Sequence, residues 1–245
     1  MHVRHLMIRW LLALLPSAVA AQPVVTVDVD NANPPFMYAA GDGTAAGVYP
    51  AVVEAVFREM GQPLQLQARP WRRALSELDA GSAAVAGIYK TTERAQRYDY
   101  SEPLLVERLV VYVHRSQAWP VTKMDDHKGR LVGIIAGWSY GDAFDAARRS
   151  GAVKVEEVPS DEQNFRKLNA RRLDAVIAID ESARPLLARF PDIVQAGVLA
   201  ENPTYLAINK SAAQRELIDR FNDALARLRR SGQLDRLLQA QFAPP

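Results

Sequence analysis

The sequence predicts an α/β protein of two units, each a mostly parallel sheet flanked by helices. Three observations carry this. Short β-branched runs alternate with segments of helical period, the βαβ order that leads to parallel pairing. The alternation stops after Tyr89 and restarts at Leu109. The chain has 245 residues, 49% hydrophobic and 24% charged, enough for two small domains that each bury a core.

The elements follow in order. Val24 to Val29 reads as a strand. Gly47 leads through Pro50 into a helix whose apolar face is Val53, Val56, Phe57 and Met60, and Gly61 ends it. Leu64 to Ala68 is a second strand. Trp71 to Ala80 is a helix that turns Ala74, Leu75 and Leu78 inward and stops at Gly81. Ala83 to Tyr89 is a third strand. The second unit has strands at Leu109 to Val113 and Leu131 to Ala136, then a helix from Gly141 to Arg149. A strand at Val153 to Val158, a helix at Glu162 to Leu168 and a strand at Leu173 to Ile179 complete it. A strand at Tyr205 to Ile208 and two helices close the chain, the first carrying Leu217, Phe221, Leu225 and Leu228 at helical spacing.

The N-terminus has a different character. Arg4 and Arg9 precede the apolar run Leu11 to Leu15, and Ala18-Val19-Ala20-Ala21 follows. This predicts a secretory signal over residues 1–21, cut after Ala20 or Ala21. The run is too short to span a bilayer, which takes about 20 apolar residues. With no cysteine in the chain, a lipid-anchored cysteine is excluded. The expected product is a soluble, periplasmic monomer. Cleavage removes two of the 30 basic residues, leaving 28 against 28 acidic ones, so the basic balance disappears and a nucleic-acid partner is not expected. Only His114 and His127 remain, so neither a thiolate nor a histidine-rich metal site is expected, and no phosphate- or dinucleotide-binding motif calls for a cofactor.

Several residues carry candidate chemistry. Gly137-Trp138-Ser139-Tyr140-Gly141 has the G-x-S-x-G pattern between a strand and a helix. A hydrolase elbow needs a histidine after the serine, and none follows Ser139, so a nucleophile is not expected. The preferred reading is a polar-group site, with Ser139 capping the next helix. Thr91-Thr92-Glu93-Arg94 follows a strand, at the edge where open α/β sheets bind ligands. There Thr91 and the planar fork of Arg94 suit a carboxylate, although a surface salt bridge is the plainer use of an arginine. Asp30 ends the first strand at the same edge and either receives an ammonium group or caps a turn. Trp71, after the second strand, stacks on a ligand or packs between the units. Asp180 faces the same choice between a ligand ammonium and a helix N-cap, with the cap slightly favoured.

Taken together, these motifs resemble bacterial solute-binding protein family 3, the periplasmic polar amino-acid-binding proteins of ABC importers. The likeness covers most of the mature chain. It runs from Asp30 and Pro34-Pro35-Phe36 through Thr91-Thr92-Glu93-Arg94 and Tyr98-Asp99-Tyr100-Ser101-Glu102-Pro103, which look like the family's T-x-x-R and V-D-F-S-x-P. It continues through Lys128 to Gly133, Gly137-Trp138-Ser139, and Leu168 to Val176. The resemblance implies the two-lobed type II periplasmic-binding-protein fold with two hinge crossings. Lobe 1 would be residues 22–106 and 203–245, and lobe 2 residues 107–202. It implies that Arg94 holds a ligand carboxylate and Asp30 the ammonium end. It adds Gly87, Tyr89, Trp138 and Tyr140 to the pocket, and matches Asp180 to the family's lobe-2 acid if one extra residue is allowed. It also implies delivery of the solute to an ABC permease. There are departures. Asn33 stands where an aromatic is usual, Tyr89 where a smaller hydroxyl residue is, and Arg171 where a glycine is. Two other uses of the scaffold stay open: a periplasmic enzyme like cyclohexadienyl dehydratase, and a ligand sensor for a membrane kinase.

Overall fold

The structure, a computed structural model, describes residues 22–121, 123–210 and 215–242; the expected signal over residues 1–21 lies outside them. The chain opens with β1 (Val25–Asp30), three short strands β2 (Ala32–Asn33), β3 (Met37–Ala39) and β4 (Ala45–Ala46), and helix α1 (Val48–Met60). There follow β5 (Leu64–Arg69), α2 (Trp71–Asp79), β6 (Ala84–Tyr89), the single turn α3 (Arg94–Arg97), β7 (Tyr98–Tyr100) and β8 (Leu105–His114). The second half holds β9 (Leu131–Ile135), α4 (Asp142–Arg149), β10 (Lys154–Val158), α5 (Asp161–Asn169), β11 (Ala175–Ile179) and α6 (Asp180–Arg189). β12 (Ile193–Asn209), α7 (Arg215–Arg230) and α8 (Gln233–Phe242) complete the described chain.

The sequence leads one to expect two separate, mostly parallel sheets. The structure joins them into one, in the order β10-β9-β11-β8-β12-β6-β1-β5, with β7 also on β12. Pairing is parallel at both ends, where β1 lies between β5 and β6, and β9 between β10 and β11. The middle is an antiparallel ribbon of β8 and β12, which runs from Leu105 opposite Thr204 to His114 opposite Ile193. These strands are the two chain crossings. Sequence reading finds only their apolar ends, Leu109 to Val113 and Tyr205 to Ile208. The rest carries Glu107, Arg108, Glu201, Asn202 and Pro203, which break the hydrophobic alternation that marks a strand.

Helix α1 buries Val52, Val53, Val56 and Phe57, with Phe57 meeting Phe221 of α7 edge-on at 6.0 Å. Its first N–H groups do not point at open space. Val48 N–H and Tyr49 N–H donate to the carbonyls of Pro35 and Phe36, at 3.1 and 2.9 Å. Gly47 permits this approach. Its φ is +113°, and a Cβ there would sit 2.6 Å from both carbonyl oxygens.

Candidate functional site

The carboxyl ends of the parallel strands from both halves converge, as expected for ligand sites in α/β sheets. β1 delivers Asp30, Pro70 after β5 leads into Trp71, and β6 ends in Tyr89 and runs on through Thr91 to Arg94 at the start of α3. From the other half, the turn after β9 brings Trp138 and Ser139. Trp71, Gly87, Tyr89, Arg94, Glu107, Trp138 and Ser139 line one small space of about 10 Å³. That is room for about one water. The two halves are therefore in contact around the site.

Arg94 is 9% exposed. Its Nη1 donates to the Tyr89 carbonyl at 3.2 Å, and its backbone N–H donates to Thr91 Oγ1 at 3.2 Å. Among the described residues no carboxylate lies within ion-pair distance of it, so the surface-bridge alternative does not apply here. Burial pulls its pKa down, opposed by the more distant Tyr100, Asp145, Tyr98 and Glu93. A buried cation held by a single backbone oxygen is an incomplete arrangement, because the fork has five donors.

Opposite it lies an acid that the sequence reading did not select. Glu107 of β8 is 2% exposed and accepts hydrogen bonds from the hydroxyls of Tyr49 and Tyr89. Tyr49 Oη also lies 2.9 Å from Thr204 Oγ1 on β12. Desolvation pushes Glu107 up to about 7, against the two tyrosine hydrogen bonds, with Glu181 adding to the rise. A signal was available: Glu107 shares strand parity with the buried Leu109, Val111 and Val113, which puts a carboxylate on a core face.

Gly87 makes this cluster fit. It is the extra residue of a bulge in β6, where the pairing with β12 slips between Tyr205 and Leu206. Its φ is +77°, and a Cβ would meet Tyr49 Cδ2 at 2.7 Å. Gly87→Ala is therefore expected to cost about 2 kcal/mol in urea unfolding, from left-handed strain plus displacement of the Tyr49 ring. A loss under about 0.5 kcal/mol would mean that the ring yields freely.

Contacts across the site come from both halves. Trp138 Nε1 donates to Asp30 Oδ2 at 2.8 Å, and Trp71 Nε1 donates to the Gly137 carbonyl at 3.2 Å. The two indoles meet edge-on at 6.2 Å. Asp30 is 3% exposed and also accepts Ala32 N–H at 3.2 Å. Burial raises its pKa, while the Trp138 and backbone hydrogen bonds oppose the rise. Farther out, Thr92 binds Asp142 through its N–H at 3.1 Å and its hydroxyl at 2.7 Å, Ser182 Oγ donates to Asn33 Oδ1 at 2.9 Å, and Arg72 pairs with Glu157 at 2.8 Å.

Three sequence expectations need adjustment. Ser139 does not cap α4: the cap position is Gly141, with no side-chain cap bond, because the Ser139 hydroxyl donates to Asp145 in the first turn. Asp180 does not cap α6 either. It is the first helical residue, its Oδ1 accepts from Tyr112 Oη at 3.1 Å, and its Oδ2 lies 3.5 Å from both Arg108 and Arg184. Tyr140 turns into the second half, where its Oη accepts Ile135 N–H at 2.8 Å and its ring meets Phe144 at 5.6 Å. Neither Asp180 nor Tyr140 lines the small space.

The family described as bacterial extracellular solute-binding proteins, family 3, matches residues 25–244. The L-cystine-binding protein TcyJ of Escherichia coli (strain K12) is 22% identical over 232 residues, covering 93% of this chain and 86% of that protein. Among solved structures, a histidine kinase sensor domain with similarity to periplasmic binding proteins superimposes with a TM-score of 0.80 at 21% identity, covering 90% of this chain and 96% of that one. An ancestral arginine-binding protein bound to arginine gives 0.78 at 21% identity, covering 91% and 100%. The fold is the two-lobed type II periplasmic-binding-protein fold that the sequence predicts.

Proposed function

The chain belongs to the bacterial extracellular solute-binding proteins, family 3, and on that premise we propose that it captures a small solute bearing an acidic group, an amino acid or related carboxylate, and delivers it to an ABC importer. The observation that carries this reading is Arg94, a buried guanidinium at the meeting of the two halves that pairs with no acid among the described residues. A ligand carboxylate completes it bidentately. Asp30 and Glu107 supply acceptors for the solute's donors, once Trp138 releases Asp30. Capture proceeds by closure, with the ligand favouring the closed form through contacts from both halves. The lobes divide at 106/107 and 202/203, positions that face each other on the ribbon, where Val106 pairs with Pro203. On this reading the solute is released unchanged, and the Ser139 hydroxyl, which donates to Asp145 rather than meeting an imidazole, lends no support to a nucleophilic step.

A melting screen over amino acids, amines and small carboxylates tests this. A hundredfold excess over Kd stabilises by about 2.7 kcal/mol, which raises Tm by about 5–10 °C for a chain of this size. The expected hit carries a free carboxylate, and its amide or ester is inactive. A screen in which the amide works as well as the acid would remove Arg94 from the account.

A further inference from the structure

A second cavity, of about 660 Å³, shares no lining residue with the Arg94 space. One wall is Asn33 at the end of β2 with Pro34 and Pro35 after it; the other is the start of α5 and the length of α6 from Glu181 to Arg189, with Phe242 of α8 at the side. Its charged rim is already paired. Glu162 holds Arg189 at 2.9 Å and Arg166 at 2.7 Å, and Arg184 lies 3.8 Å from Glu181. What remains is Asp161, which lines the same cavity and is 7% exposed. Among the described residues neither of its oxygens has a hydrogen bond or an ion pair, and Oδ1 is fully buried. The charge that bears on it most is another carboxylate, Asp30, and together with desolvation this pushes Asp161 up to about 7. Among the described residues no cation bears on either acid, which leaves this part of the interface short of one positive charge.

The missing cation has a definable chemistry. Among the described residues no group of three or more acids or histidines could hold a metal, and hard cations take six or more oxygen ligands. An ammonium needs fewer acceptors: it has three donors, and Asn33 and Ser182 line the same cavity as Asp161, with the Ser182 Oγ donating to Asn33 Oδ1 at 2.9 Å and each oxygen keeping a lone pair to accept. Pro35, Leu186 and Phe242 offer apolar surface to a stem. We propose that this cavity is a second binding site, for a primary ammonium on an apolar stem, with the Asp161 carboxylate as its counter-ion. It does not depend on the Arg94 reading.

The test is calorimetric titration of hexylamine and phenethylamine at about pH 8, where Asp161 is ionised, with hexanol and hexanoate as controls. The amines are expected to bind the wild type and Arg94→Ala with equal affinity, and Asp161→Asn at least tenfold more weakly; the controls are expected not to bind. Equal affinity in Asp161→Asn, or no amine binding to the wild type, overturns the proposal and leaves Asp161 a buried protonated acid. Loss of amine binding in Arg94→Ala also overturns it, by moving the amine to the central space. Should Asp161→Asn fail to fold, amide spectra of the wild type decide. Amine-induced shifts at Asn33 and Ser182 support the site; shifts confined to Trp71 and Gly87 contradict it.

Discussion

Arg94→Ala is expected to bind the carboxylate solute found by the melting screen at least thirtyfold more weakly than the wild type, with no loss of fold. Arg94 is buried, its guanidinium meets only the Tyr89 carbonyl, and no carboxylate pairs with it among the described residues. A ligand carboxylate docked there forms a two-pronged, charge-assisted pair in a water-poor space. Truncating one member of such a pair leaves the other buried without compensation, which costs about 2–5 kcal/mol. That corresponds to about thirtyfold or more, since about 1.4 kcal/mol is tenfold. Arg94→Lys is expected to recover part of the loss, because an ammonium cannot reproduce the fork. A purely structural arginine predicts the opposite balance, with stability falling and affinity changing by no more than about 1 kcal/mol. Calorimetry and urea unfolding on the same three proteins separate the two. Here the unliganded Arg94→Ala protein should be as stable as wild type or slightly more so, since a desolvated charge is removed.

The second large effect is on stability against pH. Glu107 is fully buried and pushed from an ordinary value of 4.5 up to about 7. A carboxyl whose folded pKa lies above its unfolded one binds protons more tightly in the native state. Its contribution is fully present below about pH 4.5 and is lost as pH rises through about 7. A rise of that size corresponds to a loss on the order of 3 kcal/mol between pH 4.5 and pH 8, at about 1.36 kcal/mol per pKa unit. Asp161, also raised to about 7, works in the same direction. Urea unfolding is therefore expected to show a protein more stable at pH 5 than at pH 8. Glu107→Gln keeps the size of the side chain and an acceptor for a tyrosine, and should remove only part of that slope, since Asp28 and Asp161 are also raised to about 7. A wild type equally stable at both values would mean that Tyr49 and Tyr89 hold Glu107 ionised throughout.

Much of this molecule is legible from sequence, and the illegible parts share a cause. Hydrophobic period and terminal glycines mark β1, α1, α2 and β6 to within a residue or two, because each element buries one continuous apolar face. The same logic places Asp30, Trp71 and Arg94 at strand ends that face one edge. It misses the length of β8 and β12, since strands crossing between halves carry polar residues where a strand inside one core carries valine. Glu107 is hidden for the same reason: its partners, Tyr49 on α1 and Tyr89 on β6, lie 58 and 18 positions away, and no local pattern links them. Asp180 illustrates a different limit. An acid at a strand end before a helix reads as a cap or a ligand contact, whereas its actual partners, Tyr112 and Arg108, come from the neighbouring strand β8. Left-handed Arg171, with φ 57°, occupies a position where family resemblance leads one to expect glycine, so the backbone kept a conformation that the side chain disfavours.

The central claim is that a solute is trapped between two halves that close on it. Solution scattering of the protein, alone and saturated with the solute from the melting screen, tests this most directly. Closure about β8 and β12 predicts a smaller radius of gyration on saturation, and no such change for Arg94→Ala at the same solute concentration. An unchanged radius in a wild-type protein shown by calorimetry to be fully bound would contradict it.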